Sequence, residues 1–180
     1  MNWTEAGTTP GSGGYYALQI KGGAWKLGSL LTQTDTTTPI VVSSLGFTPT
    51  SVLFFSAVRA QSTLDTASRP LRCSIGAATG PSNRLAQNVT SQHNADPMQC
   101  MASVRDDACY INMDEATDAE VGRMDIQSFD SGGFTAIMDD ADPSQNFVLY
   151  LAAGPVTPTP FLSWLPKVQS RSGKTVVVPY

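Results

Sequence analysis

The sequence predicts an all-β protein, an antiparallel β-sandwich of jelly-roll-like type with extended N- and C-terminal arms. Roughly ten short apolar or β-branched runs, separated by Gly, Pro, Asn, Asp and Ser residues, are typical of such folds. No stretch has the 3.6-residue periodicity of a long helix. The 180 residues, 41% of them hydrophobic, suffice for one domain with a substantial core.

The N-terminal region predicts an arm followed by a hairpin. Residues 1–14 include a Thr-, Gly- and Ser-rich stretch that is flexible by composition. Residues 15–20 and 24–30 have strand character, and the Gly22-Gly23 pair between them favours a hairpin turn. The sequence therefore predicts that these two strands pair with each other.

The next segment predicts a turn that leads into a buried strand. A polar Thr-rich stretch at 32–38 precedes a short β-branched strand at 40–42. The motif Gly46-Phe47-Thr48-Pro49 has the residues of a turn, with Phe47 packed beneath it. Residues 52–55 are apolar without alternation, which favours a central strand covered on both faces over the competing buried helix.

The middle of the chain predicts fewer strands. Residues 71–76 alternate like a strand, whereas 77–92 hold many small and polar residues and predict a long loop with a helical turn near Arg84. Such a loop in a compact domain is usually functional or disordered. Two strands, 99–104 and 108–113, flank a hairpin-like turn at Arg105-Asp106-Asp107.

The last third predicts three strands and an arm. Residues 123–129 alternate like a half-buried strand, and 134–138 with 147–152 predict a hairpin across an Asp-rich turn. From residue 155 onward the prolines exclude a long helix and most central-strand positions. The predicted organisation is therefore an arm at 1–14, a β-sandwich domain at 15–154 and a proline-rich arm at 155–180.

The C-terminal arm carries apolar residues that need a surface to cover. This surface belongs either to the same sandwich or to a neighbouring subunit. The predicted interface residues are Phe161, Leu162, Trp164 and Leu165.

Composition favours assembly over nucleic-acid or membrane binding. Only 14% of the residues are charged, against about a quarter in typical soluble domains, so much of the surface is expected to lie against other subunits. Many β-proteins that are rich in Ser and Thr also have few charges. The net charge of -4 and the scattered basic residues argue against a nucleic-acid partner. No apolar run approaches a membrane span, and no secretory signal is expected at the N-terminus.

Candidate chemistry is sparse, so no catalytic residue and no cofactor is predicted. The single histidine, His93, lies in a polar stretch without a G-x-S-x-G elbow. Asp125 with Asp106 or Asp107 would be the acid pair of a glycan hydrolase, the least favoured class. The three cysteines have no metal-binding spacing and are expected to be buried free thiols, although one disulfide stays open. They are Cys73, Cys100 and Cys109.

Two further sets of residues carry weak binding hypotheses. Asp139, Asp140 and Asp142 have carboxylates at a spacing seen in calcium sites, but Asp is also common in turns for backbone reasons. The three tryptophans could stack on sugar rings in a carbohydrate-binding module, or they could anchor the core or an interface. They are Trp3, Trp25 and Trp164.

Two motifs resemble structural proteins of tailed bacteriophages and prophages. The first is G-F-x-P-x-x-V with a following apolar run, here Gly46 to Phe55. The second is a strand with Gly133-Phe134-Thr135 and a later strand that ends near Tyr150-Leu151-Ala152. The resemblance covers residues 25–154. It implies a multimeric, virion-associated β-sandwich in a capsid, neck or tail, and it supplies no catalytic residues.

The sequence therefore predicts a non-enzymatic structural component of a phage particle, made in the host cytoplasm and located in the virion. Its expected partners are other copies of itself and other virion proteins, met through sandwich faces and arms. The alternative is a carbohydrate-binding module of a phage fibre or spike, with a host-surface glycan as its partner.

Overall fold

Twelve strands and no helix form the part of the chain that the computed structural model describes, namely residues 4–6, 15–17, 22–60, 71–92, 100–114 and 116–155. The strands are β1 (Thr4–Ala6), β2 (Tyr15–Ala17), β3 (Trp25–Leu31), β4 (Ile40–Val42), β5 (Ser51–Ser56), β6 (Arg72–Gly80), β7 (Asn83–Ser91), β8 (Cys100–Arg105), β9 (Tyr110–Met113), β10 (Glu120–Asp130), β11 (Gly133–Asp140) and β12 (Phe147–Ala153).

Two antiparallel sheets pack face to face, which confirms the predicted all-β sandwich. One sheet has four strands in the order β4-β11-β10-β9, and the other has six in the order β3-β12-β5-β6-β7-β8. A separate two-stranded ribbon joins β1 to β2. Most of the predicted arms, residues 1–14 and 155–180, fall outside the described residues.

The main core lies between the two sheets and is built from alternate residues of their strands. Phe54 and Tyr150 of the six-stranded sheet meet Phe134 of the four-stranded sheet edge to face, with ring centroids 5.8 and 5.3 Å away. Phe134 has no exposed surface. Met124 and Ile126 of β10 complete the centre of this layer. A smaller cluster beneath β7 contains Ala86, Ala108, Ile111 and Met113.

The predicted turn at Gly46 does lead into β5. Gly46 adopts a positive φ of 79°, which is costly for residues with a Cβ, and Leu45 beside it is buried. Phe47 packs against the main core, and its ring closes the space next to Gly154. This turn therefore fixes both the start of β5 and the end of β12.

The loop predicted at residues 77–92 is wrong, because this segment forms the end of β6, a tight turn and all of β7. The two strands pair over eight positions from Arg72↔Thr90 to Gly80↔Asn83. Inward positions on β7 hold small or polar residues, whereas Leu85 and Val89 point outward. A half-buried strand usually has apolar residues on its inward side, so β7, with its apolar residues outward, was not recognised as a strand.

Three predicted hairpins are also wrong, because neighbouring strands separate into different sheets or pairs. β2 pairs with β1, while β3 pairs with β12. β8 pairs with β7, whereas β9 crosses to the four-stranded sheet and pairs with β10. β11 pairs with β10 and β4, while β12 lies between β3 and β5 in the other sheet.

Candidate functional site

The outer face of the six-stranded sheet, the side turned away from the four-stranded sheet, is apolar. Outward positions of its strands hold no Lys, Arg, Asp or Glu. Eleven large apolar side chains are exposed among the described residues, and all except Val41 belong to this sheet and its border. They are Trp25, Leu27, Leu53, Phe55, Leu71, Ile75, Leu85, Val89, Val104 and Leu149.

Strand register joins these side chains into a continuous surface. Opposite residues in an antiparallel pair lie on one face, so Leu27, Leu151 and Leu53 form one row. A second row contains Leu149, Phe55 and Ile75 and reaches Val104 through Gln87. With strands about 4.8 Å apart, the surface covers roughly 24 by 17 Å, or about 400 Å². Contiguous apolar patches of this size often mark interaction sites.

β5 shows why this surface needs a cover. The continuous apolar run 52–55 predicts burial on both faces, but Leu53 and Phe55 are 39% and 40% exposed while Val52 and Phe54 are buried. The prediction is therefore wrong for the described residues, which cover only the inner face. Leu53 and Phe55 can be buried only by contact with another part of the chain or with another molecule.

A groove of about 420 Å³ deepens the outer face at one end. It lies where β12 begins and where β5 ends, and its walls are almost entirely apolar. Its lining residues are Phe55, Ser56, Ala57, Arg59, Leu71, Arg72, Cys73, Ile75, Phe147 and Leu149. This volume accommodates one or two large side chains or a small apolar ligand.

The surface around β10 has the opposite character, since it carries a network of ion pairs. Arg123 lies 3.0 Å from Glu120 and 3.6 Å from Asp139, and Arg105 lies 2.9 Å from Asp107. These pairs are partly exposed and each contributes little to stability. These ion pairs contrast with the outer face of the six-stranded sheet, whose outward positions carry no charged side chain.

Asp125 is the most perturbed acid in this network. Its carboxylate forms a 2.5 Å ion pair with Arg84, and both side chains are mostly buried. Burial raises the pKa of Asp125 to about 6 despite the Arg84 charge, which acts to lower it. Asp107, one of the two candidate partners of Asp125 in the hydrolase hypothesis, is held by Arg105, and this contact lowers its pKa. Both acids thus have arginine partners.

Asp142 belongs to a buried polar cluster between the sheets. Its Oδ1 accepts a hydrogen bond of 2.7 Å from Asn112 Nδ2, and Asn146 Nδ2 donates to the Tyr110 hydroxyl nearby. Burial raises the pKa of Asp142, while hydrogen bonds, first from Thr32, act to lower it. The absence of a side chain at Gly122 leaves room for this carboxylate. The cluster ties the β11–β12 connection to β9.

The three carboxylates of the calcium hypothesis lie in different environments. Asp142 is buried against Asn112, whereas Asp139 is exposed and lies beside Arg123. Asp140 is exposed at the end of β11. No group of three or more His, Cys, Asp or Glu residues in the described part of the chain is arranged to hold a metal ion.

Other predicted residues are only partly visible. Trp25 lies at one border of the outer face, 42% exposed, with its indole N–H bonded to the Gly22 carbonyl. Trp3, His93 and the predicted interface residues Phe161, Leu162, Trp164 and Leu165 fall outside the described residues. The cysteines are free, with Cys109 buried, Cys73 half-buried in the groove wall and Cys100 exposed. The expectation of buried thiols therefore holds fully only for Cys109.

Sequence reasoning missed the outer face, although signals for it were present. Unbroken apolar runs in β5 and β12 require a cover on both sides of the sheet. In β7 the apolar residues are the outward ones, a pattern that becomes interpretable only when the strand is recognised.

Comparisons with known proteins do not assign this chain to a group. No protein-family model matches it, and neither the curated proteins nor the solved structures contain a match. Within the described residues, no helix is long and apolar enough to cross a membrane.

Proposed function

We propose that this protein is a non-enzymatic structural component of a tailed-bacteriophage particle, assembling through the outer face of the six-stranded sheet and its terminal arms. The uncharged outer face is the observation that carries the assembly part of this proposal. Ten large apolar side chains on or beside it are exposed to water, and ordinary soluble surfaces intersperse such residues with charges. The low overall charge content of 14% agrees with it.

The size of the outer face limits what it can contribute by itself. Covering about 400 Å² on each of two copies would bury about 800 Å², below the roughly 1,200–2,000 Å² of a standard specific interface. The proposal therefore assigns the remaining contact area to the terminal arms.

The phage assignment depends on the sequence resemblance alone. The Gly46-Phe47-Thr48-Pro49 turn and the Gly133-Phe134-Thr135 strand start are the motifs shared with tailed-phage structural proteins. In this chain both have framework roles at the starts of β5 and β11, a role that suits a structural protein. The proposed partners are other copies and other virion proteins, and the proposed location is the virion.

A matched pair of surface variants tests assembly through the outer face. Val104→Lys places a charge on β8 at the outer face, whereas Val41→Lys places one on β4 of the other sheet. The two valines are 61% and 64% exposed, so their replacement has similar local cost. By light scattering, wild type and Val41→Lys should be multimers and Val104→Lys should shift towards the monomer. A wild-type monomer at high concentration contradicts the proposal.

The phage assignment needs a separate test. Particles of the phage or induced prophage that encodes this chain should contain it in stoichiometric amounts by quantitative mass spectrometry. Its absence from purified, infectious particles would contradict a virion role without affecting the self-association result.

A carbohydrate-binding module is the second candidate, favoured by one observation. Trp25 is exposed at the border of the outer face, and the bond from its indole N–H to the Gly22 carbonyl fixes the ring, as sugar stacking requires. Trp25→Ala should then abolish binding on a glycan array. An array without signal for the wild-type protein would dismiss this candidate.

A further inference from the structure

The groove on the outer face and the point where the chain leaves the sheet lie at opposite ends of β12. The groove contacts Phe147 and Leu149 near the start of β12. The strand ends at Ala153, which pairs with Trp25 and Ser51 at the far end of the sheet. Residues after β12 therefore start about 20 Å from the groove, the length of a seven-residue strand.

The exit from β12 is fixed by its surroundings. The Gly154 N–H donates a 2.7 Å hydrogen bond to the Ala24 carbonyl, and the Phe47 ring fills the space where a Gly154 side chain would lie. Gly154 is buried, whereas Pro155 is exposed. Gly154 is thus held in the sheet and is not free to reverse the direction of the chain.

The composition of residues 155–160, between Gly154 and the apolar residues that follow, favours an extended segment over a turn back along the sheet. Residues 155, 158 and 160 are prolines, and proline-rich segments behave as semi-rigid extended spacers of about 3.1 Å per residue. At that rise, six extended residues would span about 19 Å. To enter the groove of its own chain, this segment would have to reverse within those few residues. An extended segment would instead carry residues 161–165 towards another molecule.

Residues 161–165 match the groove in chemistry. Phe161, Leu162, Trp164 and Leu165 are four large apolar residues within five positions. The groove has about 420 Å³ of space and almost wholly apolar walls. Aromatic side chains dominate the anchoring pockets of protein interfaces.

We propose that the groove binds residues 161–165 of a second copy of this chain, with Phe161 or Trp164 inserted as the anchor. This inference rests on the proposed self-assembly and identifies the contact through which it occurs. Two copies can exchange these segments reciprocally in a closed dimer, or each segment can enter the groove of a further copy and build a ring or a longer array.

Cysteine cross-linking between two different full-length chains tests the proposal. The first chain carries Cys100→Ser and keeps Cys73 in the groove wall. The second carries Cys73→Ser, Cys100→Ser and Ser163→Cys, with its new thiol between Leu162 and Trp164. Cys109 is fully buried and serves in both as an unreactive thiol. The mixture is dissociated, reassembled and treated with a short bismaleimide.

A covalent dimer containing one of each chain is expected from the mixture. Neither chain alone should give this product, and replacing Cys73 in the first chain should remove it. A single chain with both Cys73 and Ser163→Cys should form links between molecules, identified by mass spectrometry of isotopically labelled mixtures. Links found only within one molecule would overturn the proposal in favour of the chain's own groove.

Two further results separate this inference from the proposed function. A stable multimer without any cross-link from Ser163→Cys to Cys73 overturns the groove contact but leaves self-assembly standing. A monomer without cross-links overturns both. Ile75→Lys in the groove should abolish the cross-link, whereas Val41→Lys, on β4 of the other sheet, should preserve it.

Discussion

Phe134 is the side chain through which the two sheets make their closest aromatic contact, so its replacement tests the packing directly. It has no exposed surface, and its ring meets Phe54 at 85° and Tyr150 at 89°. Removing a buried Phe to Ala costs about 3–5 kcal/mol. Edge-to-face pairs add about 0.5–1.5 kcal/mol each beyond burial. We expect Phe134→Ala to lose about 5 kcal/mol, near the whole stability of a small domain.

Phe134→Leu is the more practical variant, because it keeps most of the buried volume and loses mainly the aromatic contacts. We expect it to reduce the free energy of unfolding by about 2 kcal/mol. With a urea dependence of about 2 kcal/mol per molar, the midpoint moves down by about 1 M. Urea unfolding followed by circular dichroism measures this shift. Val41→Leu, on a strand that pairs with β11 but 64% exposed, is the control and should move little.

The expected coupling gives a stricter test. In a double-mutant cycle of Phe134→Leu with Tyr150→Leu, the effects should be non-additive by about 0.5–1.5 kcal/mol. Additive effects, or a Phe134→Leu loss below about 0.5 kcal/mol, would refute the edge-to-face geometry as the basis of this packing.

Three other predictions concern single groups. Asp125, with a pKa raised by burial to about 6, holds its proton more tightly when folded, so it stabilises at low pH and this contribution is lost as pH rises through about 6. When the pH rises from 5 to 7, the free energy of unfolding measured with urea should fall by about 1 kcal/mol more in the wild type than in Asp125→Asn. An equal decrease in the two proteins contradicts this prediction. Gly76→Ala should cost about 1–3 kcal/mol in the same assay, because its Cβ would meet the Cys109 carbonyl, whereas Ala77→Ser beside it should be nearly neutral. In the native protein a maleimide should label Cys100 quickly and Cys109 only after unfolding, since burial raises the pKa of the Cys109 thiol, and early labelling of Cys109 contradicts the structure.

Strands were predictable from the sequence where their inward residues are the apolar ones. β10 and β11 alternate in this way, with Met124, Ile126 and Met138 buried. β7 was not predictable, because its inward residues include Asn88 and Thr90. They are buried and satisfied by hydrogen bonds, since Asn88 Nδ2 donates to the Ile111 carbonyl and Thr90 Oγ1 donates to Asn88 Oδ1. The local sequence around Asn88 does not show that its side-chain amide will bond to a carbonyl 23 residues away.

Strand pairing was less predictable than strand position. The sequence suggested that strands close in sequence form hairpins, and this holds for β10 with β11. It fails at residues 106–109, where Ala108 and Cys109 are fully buried and the chain crosses from one sheet to the other. A short turn and a short crossover have similar compositions, so the choice is made by packing partners elsewhere in the chain.

The candidate site was predictable only in part. Apolar residues near the C-terminus indicated that some surface has to be covered, but they did not identify it. That surface emerges from the register of six strands, which aligns side chains as distant in sequence as Leu27, Leu85 and Leu151.

The position of β12 has a consequence for how the protein is made. β12 separates β3 from β5 in the six-stranded sheet and pairs with both, although it follows β5 by about ninety residues. During synthesis, β3 and β5 therefore leave the ribosome well before the strand that joins them, each with an unpaired edge. The sheet closes only after residue 153 has been made. Until β12 is added, the open edges of β3 and β5 can pair with other chains, so this topology exposes the nascent protein to aggregation.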